Sequence, residues 1–163
     1  MRLFVAIELS DEMKKAAVQI LHSLKQNGVK GNYTPVQNMH VTLCFIGETA
    51  DSRPVEEALS TVKYKPFKFA FTELGNFGDL LYIGTRGGQG INALAGDIRK
   101  AFDAAGIEYD RKKFIPHITL VRKSSGKPGK LTIPGADMMV KKVSLMRSDN
   151  VKGKMVYTEI FHI

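Results

Sequence analysis

A four-residue pattern, His-x-Thr-Leu, occurs twice in this chain, as His40-Val41-Thr42-Leu43 and His117-Ile118-Thr119-Leu120. Each copy opens a short apolar run, and the runs have the β-branched character of strands. Along a strand, residues i and i+2 share a face. His40 and Thr42 therefore project together while Val41 and Leu43 turn toward a core, and the same holds for His117 and Thr119 over Ile118 and Leu120. Each motif specifies one strand with an apolar back and a polar front that shows an imidazole beside a hydroxyl.

The rest of the chain is arranged around these two strands. Leu3 to Leu9 reads as a buried strand, and Ser10-Asp11-Glu12 supplies an N-cap and early acids for a helix. That helix carries Met13, Ala16, Ala17, Ile20, Leu21 and Leu24 on one face and stops at Asn27-Gly28. A short helix is expected over Asp51 to Val62, with Pro54 in its first turn. Phe67 to Leu74 and Leu80 to Thr85 read as a hairpin around Gly75-Asn76-Phe77-Gly78-Asp79. Gly87 to Gly90 leads into a second amphipathic helix with Ile91, Leu94, Ala95, Ile98, Phe102 and Ala105 on its apolar face, closed by Gly106. Pro- and Gly-punctuated residues 126–135 read as a loop, and Met138 to Ser148 and Met155 to Ile163 read as two closing strands. Both motifs follow an amphipathic helix, an order consistent with an internal duplication. Hairpins without regular βαβ alternation predict an α+β fold with antiparallel sheets.

At 163 residues the chain suits one domain, 1–163, with no separate linker. Its single cysteine, Cys44, permits no internal disulfide and reads as a small core residue. No secretory signal is evident and no run is long enough to cross a bilayer, so a cytoplasmic location and no membrane association are expected. The formal net charge is +8, and the basic residues gather in the C-terminal half, which also holds the second motif. Such a surface attracts polyanions, although charge alone fits plain solubility equally well.

Random composition would continue one His as apolar–Thr/Ser–apolar about 2% of the time, and two of four histidines roughly a few times in a thousand. A single copy is an ordinary strand-surface pair; the doubled motif is a site signature. In-line cleavage of a phosphodiester needs a base for the nucleophile and an acid for the leaving oxygen, on opposite sides of phosphorus. Two imidazoles with ordinary pKa near ~6.5 can divide those tasks at neutral pH. The Thr42 and Thr119 hydroxyls can meet the charge that gathers on the non-bridging oxygens. Arg122 is the first candidate for an added cation. Five residues beyond His117, its side chain leaves a regular strand on the opposite face, so a bulge or strand end must redirect it. No metal-ligand spacing and no cofactor motif accompany the pair. Gly84 to Gly90 lacks the Lys-Ser/Thr of a phosphate-binding loop.

The chain resembles the 2H phosphoesterases, and within them the RNA 2′,3′-cyclic phosphodiesterases, historically called 2′–5′ RNA ligases. The resemblance rests on the opening Arg2-Leu3-Phe4-Val5-Ala6-Ile7, on Asn38 to Gly47 around the first motif, and on Phe114 to Arg122 around the second. It implies a bilobal α+β fold with pseudo-twofold symmetry, outer helices, and a cleft between two duplicated antiparallel sheets. It implies His40 as proton donor, His117 as proton acceptor, and Thr42, Thr119 and Arg122 as phosphate contacts, with no metal or cofactor. The implied partner is RNA ending in a 2′,3′-cyclic phosphate, tRNA-like fragments included, opened to a 2′-phosphomonoester. Some members also join RNA through a 2′–5′ linkage. A monomer with no obligate protein partner is expected. Tyr33 and Pro35 stand where the family commonly has a Trp and a Pro-containing turn, so Tyr33 is a candidate nucleotide contact. Phe4 is another, although a core aromatic is the plainer reading of it. Two alternatives remain: a cyclic phosphodiesterase acting on a small nucleotide such as a cyclic ADP-ribose phosphate, and a non-catalytic RNA-binding module.

Overall fold

In the computed structural model, which describes residues 1–163, nine strands form two antiparallel sheets. The elements are β1 (Arg2–Glu8), α1 (Asp11–Gln26), β2 (Lys30–Tyr33), β3 (His40–Glu48), α2 (Arg53–Ser60), β4 (Phe67–Phe77), β5 (Leu80–Arg86), α3 (Gly88–Ala105), β6 (His117–Ser125), β7 (Asp137–Val140), β8 (Ser144–Val151) and β9 (Lys154–His162). A turn of 3₁₀ helix, Val36–Asn38, precedes β3. One sheet runs β3-β1-β8-β9 and the other β2-β6-β5-β4-β7. Placing β3-β1-β8-β9 over β6-β5-β4-β7 superposes motif strand on motif strand, so the expected duplicated, two-lobed α+β architecture is present.

Local chemistry accounts for most of these elements. Ser10 caps α1 by accepting the Met13 N–H at 3.2 Å, and the helix buries the six-residue face read from its spacing. Gly106, at φ +69°, closes α3 in the left-handed conformation that a helix C-terminus favours. α3 starts at Gly88 and not at Ile91, because Gly88 to Gly90 already form its first turn. The β4–β5 turn is also tighter than expected. Gly75 lies within β4, paired with Tyr82, whose ring occupies the space a Cβ would need. That glycine serves a close approach within the sheet and not the turn.

Two further differences concern topology. The expected strand Met138 to Ser148 is two strands: β7 pairs with β4 in one sheet and β8 with β1 in the other. Residues 141–143 make the crossing, pinned by mutual backbone bonds between Val143 and Ile163 at 2.9 and 3.0 Å. The second is β2, which the sequence pattern does not announce. Its Lys-Gly-Asn-Tyr sequence has no apolar alternation, and it forms by adding to the edge of β6.

A core of 34 buried residues draws on both sheets and all three helices, so the two lobes share their apolar backing. A smaller cluster of Phe4, Ala6 and Met146 lies on the other face of the β3-β1-β8-β9 sheet, with Phe45 and Tyr157 against it. No helix is long and apolar enough to cross a membrane.

Candidate active site

β3 and β6 are neighbours, and their polar faces line one cleft of about 1110 Å³. His40, Thr42, His117, Thr119, Arg122 and Phe4 all border it. Burial along the two strands is the same to the fifth residue. Val41 and Leu43 are buried, as are Ile118 and Leu120, while each His and Thr is half-buried.

A matching irregularity then breaks the alternation in both strands. Ala6 pairs with Thr42 and Val5 with Cys44, leaving Leu43 as an extra residue. Tyr82 pairs with Thr119 and Leu81 with Val121, leaving Leu120 as an extra residue. Such a bulge sends two consecutive side chains to one side. Leu43 and Cys44 are both buried, and so are Leu120 and Val121. Parity is reversed beyond each bulge, so Phe45 and Arg122 return to the cleft side. This is the redirection that Arg122 required.

Each imidazole is anchored in the same way. His40 Nδ1–H donates to the Asn38 carbonyl at 2.7 Å, and His117 Nδ1–H donates to the Ile115 carbonyl at 2.6 Å. A carbonyl can only accept, so the ring proton belongs on Nδ1 and the Nε2 lone pair is the reactive site. His40 Nε2 accepts from the Thr42 hydroxyl at 2.9 Å. Each ring is also braced by two aromatic side chains. Phe4 and Tyr157 lie 4.9 and 5.3 Å from His40, centroid to centroid, and Phe77 and Tyr82 lie 5.2 and 5.3 Å from His117.

Burial lowers the pKa of His40 below the ordinary imidazole value. The Asn38 carbonyl opposes that shift, the charges of Arg122 and His117 reinforce it, and Glu8, paired with His40 across β1 and β3, opposes it. These effects show that both motifs and Arg122 share one electrostatic environment.

Tyr33 is not brought to the cleft. Its hydroxyl donates to the Val29 carbonyl at 2.7 Å and the Lys25 ammonium lies over its ring, while the next residue, Thr34, lines the cleft. Cys44 packs in the core, where burial pushes its thiol up to about 12. Several cleft residues escaped the sequence reading: Arg2, Phe45, Arg147 and Tyr157. Two of them carried a signal. Arg2 alternates with Phe4 on β1, and Phe45 stands five residues after His40 as Arg122 does after His117. No three His, Cys, Asp or Glu side chains are gathered as a metal-binding group.

The sequence model of the 2′-5′ RNA ligase superfamily matches residues 8–152. A relative from Archaeoglobus fulgidus, named RNA 2′,3′-cyclic phosphodiesterase, is 32% identical over 136 residues, covering 78% of this chain and 76% of its own. The crystal structure of a Thermus thermophilus protein superposes with a TM-score of 0.80 at 26% identity, covering 99% of this chain and 96% of that one. Escherichia coli LigT, crystallised with 3′-AMP, gives 0.78 at 26% identity, covering 99% and 95%.

Proposed function

The chain belongs to the 2′-5′ RNA ligase superfamily, and from that premise we propose that it hydrolyses RNA 2′,3′-cyclic phosphate ends to 2′-phosphomonoesters by two-histidine acid–base catalysis. The observation that carries this reading is the pair of imidazoles in one cleft, each fixed through Nδ1 to the carbonyl two residues before it, with Arg122 beside them. The shared name of the curated relatives favours this substrate over a small cyclic nucleotide and over binding without turnover.

Water attacks phosphorus while neutral His117 takes its proton at Nε2. The P–O3′ bond breaks, and protonated His40 delivers a proton from Nε2 to O3′, leaving a 2′-phosphate and a 3′-hydroxyl. Thr42, Thr119 and Arg122 hold the non-bridging oxygens as charge builds on them. Thr42 has a double role. Its hydroxyl engages Nε2 while His40 is neutral, and is released to the phosphate once Nε2 carries a proton. The bound anion offsets the charge of Arg122, which restores the imidazolium that burial disfavours. Phe4 forms the floor under His40. If the 5′-hydroxyl of a second strand takes the place of water, the same proton transfers form a 2′–5′ linkage without ATP. All of these groups come from one chain, so a monomer suffices.

The test is to incubate the protein with RNA ending in a 2′,3′-cyclic phosphate in the presence of a chelator, and to locate the product phosphate by ³¹P NMR. A 2′-phosphate is expected. A 3′-phosphate, or turnover only after a divalent metal is restored, overturns the scheme.

A further inference from the structure

The two matched bulges bring unlike side chains to equivalent places: Arg122 in one lobe and Phe45 in the other. The first lobe nevertheless has a cation there, supplied from the adjacent strand. The Arg2 guanidinium lies over the Phe45 ring, 4.9 Å from its centroid, and both residues border the cleft. An aromatic face holds a guanidinium in place while leaving its N–H donors free. Arg2 has no acidic partner. Glu48, its cross-strand neighbour on β3, is 3.4 Å from the Met1 amine instead. Arg147, another cleft cation, is by contrast tied to Asp149 at 3.1 Å. Arg2 is thus a preorganised and uncommitted anion ligand.

Its position indicates which anion it serves. In the β1–β3 ladder Glu8 pairs with His40 and Arg2 with Glu48, at opposite ends, so Arg2 borders the same cleft further along it than the reacting imidazole. Building on the function proposed above, we propose that Arg2, held on the face of Phe45, binds the phosphodiester immediately 5′ of the terminal cyclic nucleotide and so makes the enzyme prefer a strand end to a mononucleotide. The substrate class is a polynucleotide, recognised through one backbone phosphate and independently of base identity.

The experiment compares a nucleoside 2′,3′-cyclic phosphate with a short RNA ending in the same cyclic nucleotide, using wild type, Arg2→Met, Arg2→Lys and Phe45→Leu. Wild type should turn over both substrates and favour the RNA through KM. Arg2→Met should lower that preference about tenfold through KM for the RNA. It should also reduce the slope of log KM against log salt by about 0.7, the loss of one single-strand phosphate contact. Arg2→Lys, which keeps the charge, should keep the slope, and Phe45→Leu should show a weaker form of the Met defect. Equal losses on both substrates, or an unchanged salt slope in Arg2→Met, would overturn the Arg2 assignment and leave the proposed reaction standing. If wild type opens neither substrate, the reaction itself is wrong.

Discussion

His40 is pulled two ways, and the balance can be measured. Burial, Arg122 and His117 favour its neutral form, while the Asn38 carbonyl and Glu8 favour the charged form. An NMR titration of the free protein should give a midpoint below the ordinary ~6.5. Arg122→Met removes a repelling charge and should raise that midpoint; Glu8→Gln removes an attracting one and should lower it. The stability contribution has a definite sign. With the folded pKa depressed, it is complete above the unfolded value and is lost as pH falls through the folded one. Unfolding by urea at stepped pH should therefore show a loss in the wild type that His40→Gln lacks. Replacing His40 or His117 by Ala should each cost about 10²–10⁴-fold in kcat/KM. The double variant should be little worse than either single one. Roles separate with a substrate whose bridging 3′ atom is sulfur, since a thiolate leaves without a proton. That substrate should rescue His40→Ala and leave His117→Ala impaired; rescue of His117→Ala instead would exchange donor and acceptor.

At the scale of the strand, the site depends on one extra residue in each motif. The tetrapeptides were legible because alternation is a short-range rule: apolar Val41, Leu43, Ile118 and Leu120 announce which way His and Thr point. The places of the bulges were not legible, since Leu43-Cys44 and Leu120-Val121 look like any apolar continuation, and only pairing with β1 and β5 reveals the surplus. For Arg122 the sequence therefore shows that a bulge or strand end has to turn it into the cleft, but not where. β2 was missed for a related reason, because its polar residues acquire strand geometry only from β6. The β2 edge also confines the second bulge. Gly31, at φ +147°, sits so that a Cβ would come within 2.8 Å of the Arg122 carbonyl oxygen and of the Val121 side chain. Gly31→Ala should displace that segment and lower kcat/KM, with circular dichroism showing the sheet retained. Leu120→Ala should cost about 2–5 kcal/mol in urea unfolding, because the extra residue is also a fully buried one.

Over the whole molecule, the chain passes between the sheets at β1 to β2, β2 to β3, β3 to β4 and β7 to β8. A cut between α2 and β4 strands β2 away from β6 and divides the shared core. Neither fragment should unfold cooperatively alone, and a mixture should regain the transition in a calorimeter. The net charge of +8 acts at this scale too, raising the local concentration of polyanions around the molecule.

The crossing of β2 onto the edge of the opposite sheet has a consequence for turnover. Walls that exchange strands and rest on one packed interior have no hinge about which to swing. The cleft between the two motif strands is consequently a fixed gauge, and selection rests on what can enter it.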